Sequence, residues 1–226
     1  MKIRGREVTP FFISVIAAIA VTVTAIIFAV SCNGGKINFK ASFYFVCYAV
    51  ADNSVSAGSI STAVTNYGGA GYVIEYDNKF YVTVSCYYEK TDAYSVCESL
   101  KKRQLDCEVL EVITGDYRLE TPSSGNSAQL YLNNLNVLYS LSTLAYECAN
   151  AIDRGDYGQT QVLGVISNVE NGLKSLLNSN PDNCFSPSVR ALIGDCGAIK
   201  DGYIYSKDLR RLQIAIADAI INAKLY

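Results

Sequence analysis

FYFVCYAV (43–50), SAGSISTAVTNY (56–67), GYVIEY (71–76), KFYVTVSCYY (79–88), KTDAYSVCESLKKRQ (90–104) and DCEVLEVI (106–113) follow one another as two similar halves. The aromatic and β-branched runs read as strands, and the stretches between them carry apolar residues at helical spacing. The tetrads Val46-Cys47-Tyr48-Ala49 and Val82-Thr83-Val84-Ser85 stand at matching places in the two halves. The order predicts a compact βαββαβ domain.

Within the first half, Ile60, Val64 and Tyr67 recur at i, i+4 and i+7, which predicts one apolar helix face, and Gly68-Gly69 supply a left-handed stop. Asp77-Asn78 lies between Tyr76 and Lys79 as a two-residue hairpin turn. In the second half, Asp92 stands in the first helical turn and Lys101, Lys102 and Arg103 in the last, matching the helix dipole. Ala93, Cys97 and Leu100 form that helix's inner face. Both helices are expected on one side of the sheet, which leaves the other side free. Period-2 alternation with Val46, Tyr48, Val82 and Val84 toward the helices puts Phe43, Phe45, Cys47, Ala49, Tyr81, Thr83 and Ser85 on the opposite, aromatic face.

Working outward, residues 1–10 are a short, basic, cytoplasmic N-terminus, and residues 11–30, FFISVIAAIAVTVTAIIFAV, carry no charge. Twenty such residues at ~1.5 Å each span a hydrocarbon core of ~30 Å, which predicts a transmembrane helix. The alternative is a cleaved signal, because the small and apolar residues ahead of Cys32 resemble a lipobox, in which Cys32 would be lipidated. Either way the remainder lies outside the cytoplasmic membrane, single-pass where the anchor is kept. Residues 31–40 form a spacer, 41–115 the sheet domain, and 116–127 a linker rich in Pro, Gly, Ser and Thr.

From 128 to 226 the apolar period becomes helical. Tyr131, Leu135, Leu138, Ala145, Cys148 and Ile152 mark one helix, and Val162, Ile166, Val169, Leu173 and Leu176 a second. A shorter helix from about 188 to 199 and a last one over 206–224, with Leu209, Leu212, Ile216, Ala219 and Ala223 on one side and Ser206 as N-cap, complete an antiparallel bundle.

Composition excludes several functions. The chain has 19 basic and 21 acidic residues, so no basic field attracts nucleic acid. It has no histidine, which removes Ser-His-Asp and Cys-His catalysis and histidine-ligated metals. Its eight cysteines show no short metal-binding spacing, so no metal or other cofactor is expected. Glu75, Glu89, Glu108 and Glu111 scatter over several elements with no reason to converge as a glycan-cleaving pair. No enzyme is expected.

The segments Val46-Cys47-Tyr48-Ala49-Val50-Ala51 and Tyr81-Val82-Thr83-Val84-Ser85-Cys86-Tyr87, each followed by a helix, resemble the paired V-Q-V-G-x-F and R-V-x-V-G-P-F strands of the SPOR (sporulation-related repeat) family. The family's glutamine is here Cys47, its arginine Tyr81, its glycines Ala49 and Ser85, and its first aromatic Ala51. The resemblance covers residues 43–113 and implies a ferredoxin-like α+β fold. It also implies non-catalytic binding of peptidoglycan glycan strands on the face opposite the helices, at division or sporulation septa of a bacterial cell. Phe43, Phe45, Cys47, Tyr72, Tyr81 and Thr83 are then the binding residues, with aromatic rings covering sugar faces. The competing expectation is a structural or adaptor protein of the cell envelope. In that case the same apolar face is covered by the bundle or a second copy, and the bundle itself meets an envelope partner.

Overall fold

The computed structural model describes residues 36–118, 125–179 and 185–223. Its strands are β1 (Lys36–Asn38), β2 (Ser42–Ala51), β3 (Tyr72–Tyr76), β4 (Lys79–Tyr87), β5 (Glu108–Ile113) and β6 (Asp116–Arg118). Its helices are α1 (Ser54–Asn66), α2 (Lys90–Lys102), α3 (Gly125–Asp153), α4 (Gln159–Ser179), α5 (Ser186–Lys200) and α6 (Ser206–Ile221). Strands β2 to β5 form one antiparallel sheet in the order β3-β4-β2-β5, interleaved with α1 and α2 in the βαββαβ order.

Local chemistry explains these elements. Asn53 caps α1 by accepting a hydrogen bond from the Ser56 N–H at 2.9 Å. Gly68, at φ +89°, ends that helix in the left-handed region. Asp77 and Asn78 have φ of +50° and +59°, the conformation of a type I′ turn, which closes β3 onto β4 with Tyr76 opposite Lys79. In α2, Asp92 lies in the first turn and Lys101 and Lys102 in the last, with Ala93 and Cys97 buried. Cys97 is joined by a disulfide to Cys107, ahead of β5, with the Cα atoms 5.6 Å apart.

Tyr67 departs from the expected helix face: it is the C-cap of α1 and 92% exposed. Alternation also fails at one place in the sheet. The ladder between β2 and β4 shifts register on either side of Cys47, leaving Tyr48 and Val84 as extra residues. Ala49 therefore pairs with Val82, and Ser85 with Val46, so both share the side covered by α1 and α2. Those positions were expected on the other face, and the two compensating bulges are the reason.

The ends assigned to spacer and linker meet. Strand β1 pairs with β6 as a two-stranded ribbon, tied to the main sheet by Thr114, whose hydroxyl accepts from the Ala41 N–H at 2.7 Å and donates to the Phe39 carbonyl at 3.0 Å.

Among the C-terminal helices, α3 packs on α4 and α6, and α5 on α4 and α6. In α4 the residues Val162, Ile166, Val169, Leu173 and Leu176 are all buried, as their spacing predicts. Helix α6 differs from its expected one-sided pattern. Beyond Leu209, Leu212, Ile216 and Ala219 it also buries Gln213, Ile214, Ala215, Ala217 and Ile220, so it is enclosed nearly all round. Its N-cap is Tyr205 rather than Ser206, with the Tyr205 N–H donating to the Asp208 carboxylate at 2.9 Å. At the other end, the Tyr117 hydroxyl donates to the last-turn carbonyl of Ile220 at 3.1 Å, and the Tyr131 hydroxyl to the carbonyl of Ala223, just past the helix, at 3.4 Å.

The fold class needs a correction. It is α+β, and the described residues hold a four-stranded antiparallel sheet and six helices, none of them long and apolar enough to cross a membrane. Helix α6, enclosed on most sides, is about 24 Å long at 1.5 Å per residue, carries Lys207, Asp208, Arg210, Arg211 and Asp218, and is buried by protein. The span expected at 11–30 and the lipidation expected at Cys32 lie outside the described residues.

Because one hydrophobic core runs from Phe43 and Phe45 through α3 and α4 to α6, sheet and helices are expected to unfold together. Ile216→Ala, which deletes a fully buried side chain of α6, should cost about 2–5 kcal/mol. Urea denaturation followed by circular dichroism and by amide exchange in β4 measures both. A sheet that keeps its protection after the helical signal is lost refutes the shared core.

Candidate functional site

The six residues expected to bind a ligand on the sheet face do come together, but beneath helices. Phe43, Phe45, Cys47 and Thr83 are completely buried, and Tyr72 and Tyr81 are half-buried against the same core. Phe43 stacks on Phe45 at a centroid distance of 6.1 Å and meets Tyr139 of α3 at 6.0 Å and Tyr88 at 6.1 Å. Aromatic surface that could have covered sugar rings is thus already paired with aromatic surface.

Polar groups on this face are also committed. The Thr83 hydroxyl donates to the Tyr72 carbonyl at 2.8 Å. The Cys47 thiol lies 3.5 Å from the Phe45 carbonyl, and burial pushes its pKa up to about 12. In the middle of the interface, the Gln213 Nε2 of α6 donates to the Cys86 carbonyl of β4 at 3.1 Å. The Ser142 hydroxyl of α3 donates to the Gln213 carbonyl at 3.2 Å and is 2.7 Å from the Tyr88 hydroxyl.

At the β3 end of the sheet, two cations of α6 hold main-chain carbonyls. Lys207 Nζ donates to the Thr65 carbonyl, in the last turn of α1, at 3.1 Å, and Arg211 Nη1 donates to the Gly71 carbonyl at 3.2 Å. Gly71 has φ +59°, and an added Cβ would run into the Thr65 side chain and the Ser61 carbonyl. The Arg211 guanidinium lies 5.7 Å from the Tyr72 ring centroid. The Tyr72 hydroxyl donates to Asp218 Oδ2 at 3.0 Å, while Asn222 Nδ2 donates to Asp218 Oδ1 at 2.7 Å.

Beside this clamp an open cleft of about 750 Å³ runs over the outer edge of β3. Val73, Glu75 and Phe80 line its sheet side, Asp77 and Asn78 its turn end, Ser54 its α1 wall, and Asp218 and Asn222 its α6 wall. No group of side chains among the described residues is arranged to hold a metal ion. No family model, curated protein or solved structure matches this chain. The resemblance to the SPOR family therefore rests on the strand segments alone.

The sequence reading passed over this cleft. Its one visible trace was Asp218, a carboxylate in the apolar run IAIADAII. Glu75 stands in the sequence as one of several scattered acids, and it lies exposed on β3. What the linear sequence could not supply was the approach of α6 to β3, which joins Asp218 to Glu75 and Asp77.

Desolvation raises the Asp218 carboxyl pKa above its ordinary value of 3.8, with nearby Glu75 adding to the rise, against the lowering effect of the hydrogen bonds from Tyr72 and Asn222. A carboxyl with a raised folded pKa binds more protons in the native than in the unfolded state. Its contribution to stability therefore declines as pH rises from the ordinary aspartate value through the raised one. Asp218→Asn keeps an acceptor and loses the charge. Its stability relative to wild type should climb over that window and level off above it, as measured by urea denaturation across the acid range. A difference that stays flat with pH refutes the assignment.

Proposed function

We propose that this protein is a non-catalytic structural or adaptor protein, in which the sheet face opposite α1 and α2 seats the protein's own helices. Partners are met by its outer surfaces. The observation that carries this reading is α6 lying across the face on which Phe43, Phe45, Cys47 and Thr83 are completely buried.

Magnitudes favour it over glycan binding on that face. Exposing the sheet requires α6 to leave, which returns Leu209, Leu212, Ile214, Ile216 and Ile220 to water. At roughly 1.5–3 kcal/mol each this is about 7–15 kcal/mol, comparable to the whole stability of a domain. A saccharide, held by a few stacked rings and hydroxyl contacts, is a weak competitor for such a face.

A non-catalytic role is supported by the absence of histidine and by the state of the thiols. Cys47, Cys86, Cys148 and Cys196 are unpaired and buried, and burial raises all four pKa values, so none presents a thiolate at neutral pH. The Cys97–Cys107 bridge supports an oxidising, extracytoplasmic setting.

The test is co-sedimentation of the full chain with intact peptidoglycan and with glycan strands stripped of their stem peptides, beside a Tyr81→Ala variant. Pelleting no greater than that of an unrelated control protein is expected with both materials. Preferential pelleting with stripped strands, lost in a folded Tyr81→Ala, would restore the glycan-binding reading.

A further inference from the structure

We propose that the outer edge of β3 is a docking strand that takes up an extended, basic segment of a partner protein. The proposal rests on the adaptor reading and gives it a surface and a partner chemistry.

The first support is the hydrogen-bond phase of the strand. The I′ turn at Asp77 and Asn78 makes Tyr76 and Lys79 the closing pair, and the next bonded pair is Ile74 with Tyr81. Val73 and Glu75, between those pairs, consequently turn their main-chain N–H and C=O groups away from β4. β3 is an outermost strand of the sheet, so those groups point outward into the cleft.

The second support is that a single acidic side chain, Glu75, is the strand's one charged guard. Sheet edges in stable proteins are commonly blunted by proline, lysine, a bulge or a covering segment. The strand YVIEY has no proline and no lysine, pairs with β4 without a register shift, and borders open space of about 750 Å³. Ser54 and Asp218 stand on its two sides, from α1 and α6, so an added strand would lie in a slot between two helices.

Charge selects the occupant. Glu75, Asp77 and Asp218 all line the cleft, and none of the ion pairs among the described residues engages them. Their combined field favours a strand with lysine or arginine at alternate positions, whose backbone takes the free groups of Val73 and Glu75. A second copy of this chain is disfavoured, because pairing β3 with β3 brings two sets of the same three carboxylates together.

The experiment titrates the full chain with a fluorescent nine-residue peptide, KVKTKVKTK, and with its counterpart in which every lysine is glutamate. Expected are binding of the lysine peptide only, about tenfold weaker binding at high salt, and amide-exchange protection at Val73 and Glu75. Glu75→Pro removes an outward N–H and a carboxylate without touching the β3–β4 ladder, and should abolish both binding and protection. If that variant does not fold, Glu75→Lys combined with Asp77→Lys should reverse the preference to the glutamate peptide.

The proposal is overturned by no binding of the lysine peptide, or by binding without protection at Val73 and Glu75. It is equally overturned by binding that survives a folded Glu75→Pro, or by a dimer that Glu75→Pro dissociates, which would make the occupant a second copy. A failure here without glycan pelleting removes only this surface, whereas glycan pelleting lost in Tyr81→Ala removes the adaptor reading itself.

Discussion

Burial of α6 between the sheet and the other C-terminal helices is the constraint from which the rest of this structure follows. A helix with nine buried residues in sixteen positions has no face left for solvent except where its charges reach out. Those charges sit at its rim: Lys207 and Arg211 hold carbonyls of Thr65 and Gly71, and Arg210 pairs with Asp153 of α3 at 2.6 Å. Apolar contact supplies the driving force, and the rim bonds fix the helix along its axis and about it. Gln213 serves the same end from inside, since a buried amide that must reach the Cys86 carbonyl admits few alternative registers.

Much of this was legible in the linear sequence where one physical rule acted alone. The type I′ turn follows from Asp77-Asn78 between two strand-like runs, and the α4 stripe from Val162 to Leu176 follows from spacing. Legibility ended where two rules met. Period-2 alternation carries Phe43, Phe45 and Cys47 to the right face, then loses Ala49 and Ser85, because compensating bulges at Tyr48 and Val84 leave no compositional mark. Helical periodicity likewise found one face of α6 but not its all-round burial, since Arg210, Arg211, Gln213 and Asp218 make the helix look amphipathic. Each of those side chains bonds a partner far away in sequence, although Arg210 Nη1 and Gln213 Oε1 are buried without one.

The aromatic face shows why composition alone could not separate ligand site from core. Rings suited to stacking on a sugar are equally suited to stacking on one another, and Phe43 finds Phe45, Tyr88 and Tyr139 at about 6 Å. Polar groups decide between the two. A saccharide face needs accessible hydroxyl and amide groups left over after folding. Here the Thr83 hydroxyl is bonded to the Tyr72 carbonyl, the Cys47 thiol is desolvated, and the Gln213 Nε2 is bonded to the Cys86 carbonyl while its unpaired Oε1 is buried out of a ligand's reach.

The helix that closes this face also shapes the surface beside it. On the sheet-facing side of α6 the buried residues remove the face from use, while Asp218 and Asn222, toward its C-terminal end, form one wall of the β3 cleft. Tyr72 couples the two regions, since its ring lies near Arg211 and packs on the core while its hydroxyl binds Asp218. Any displacement of α6 that bared the sheet would break that bond and dismantle the α6 wall. Face and edge are therefore mutually exclusive surfaces: the arrangement that covers the first is the one that builds the second.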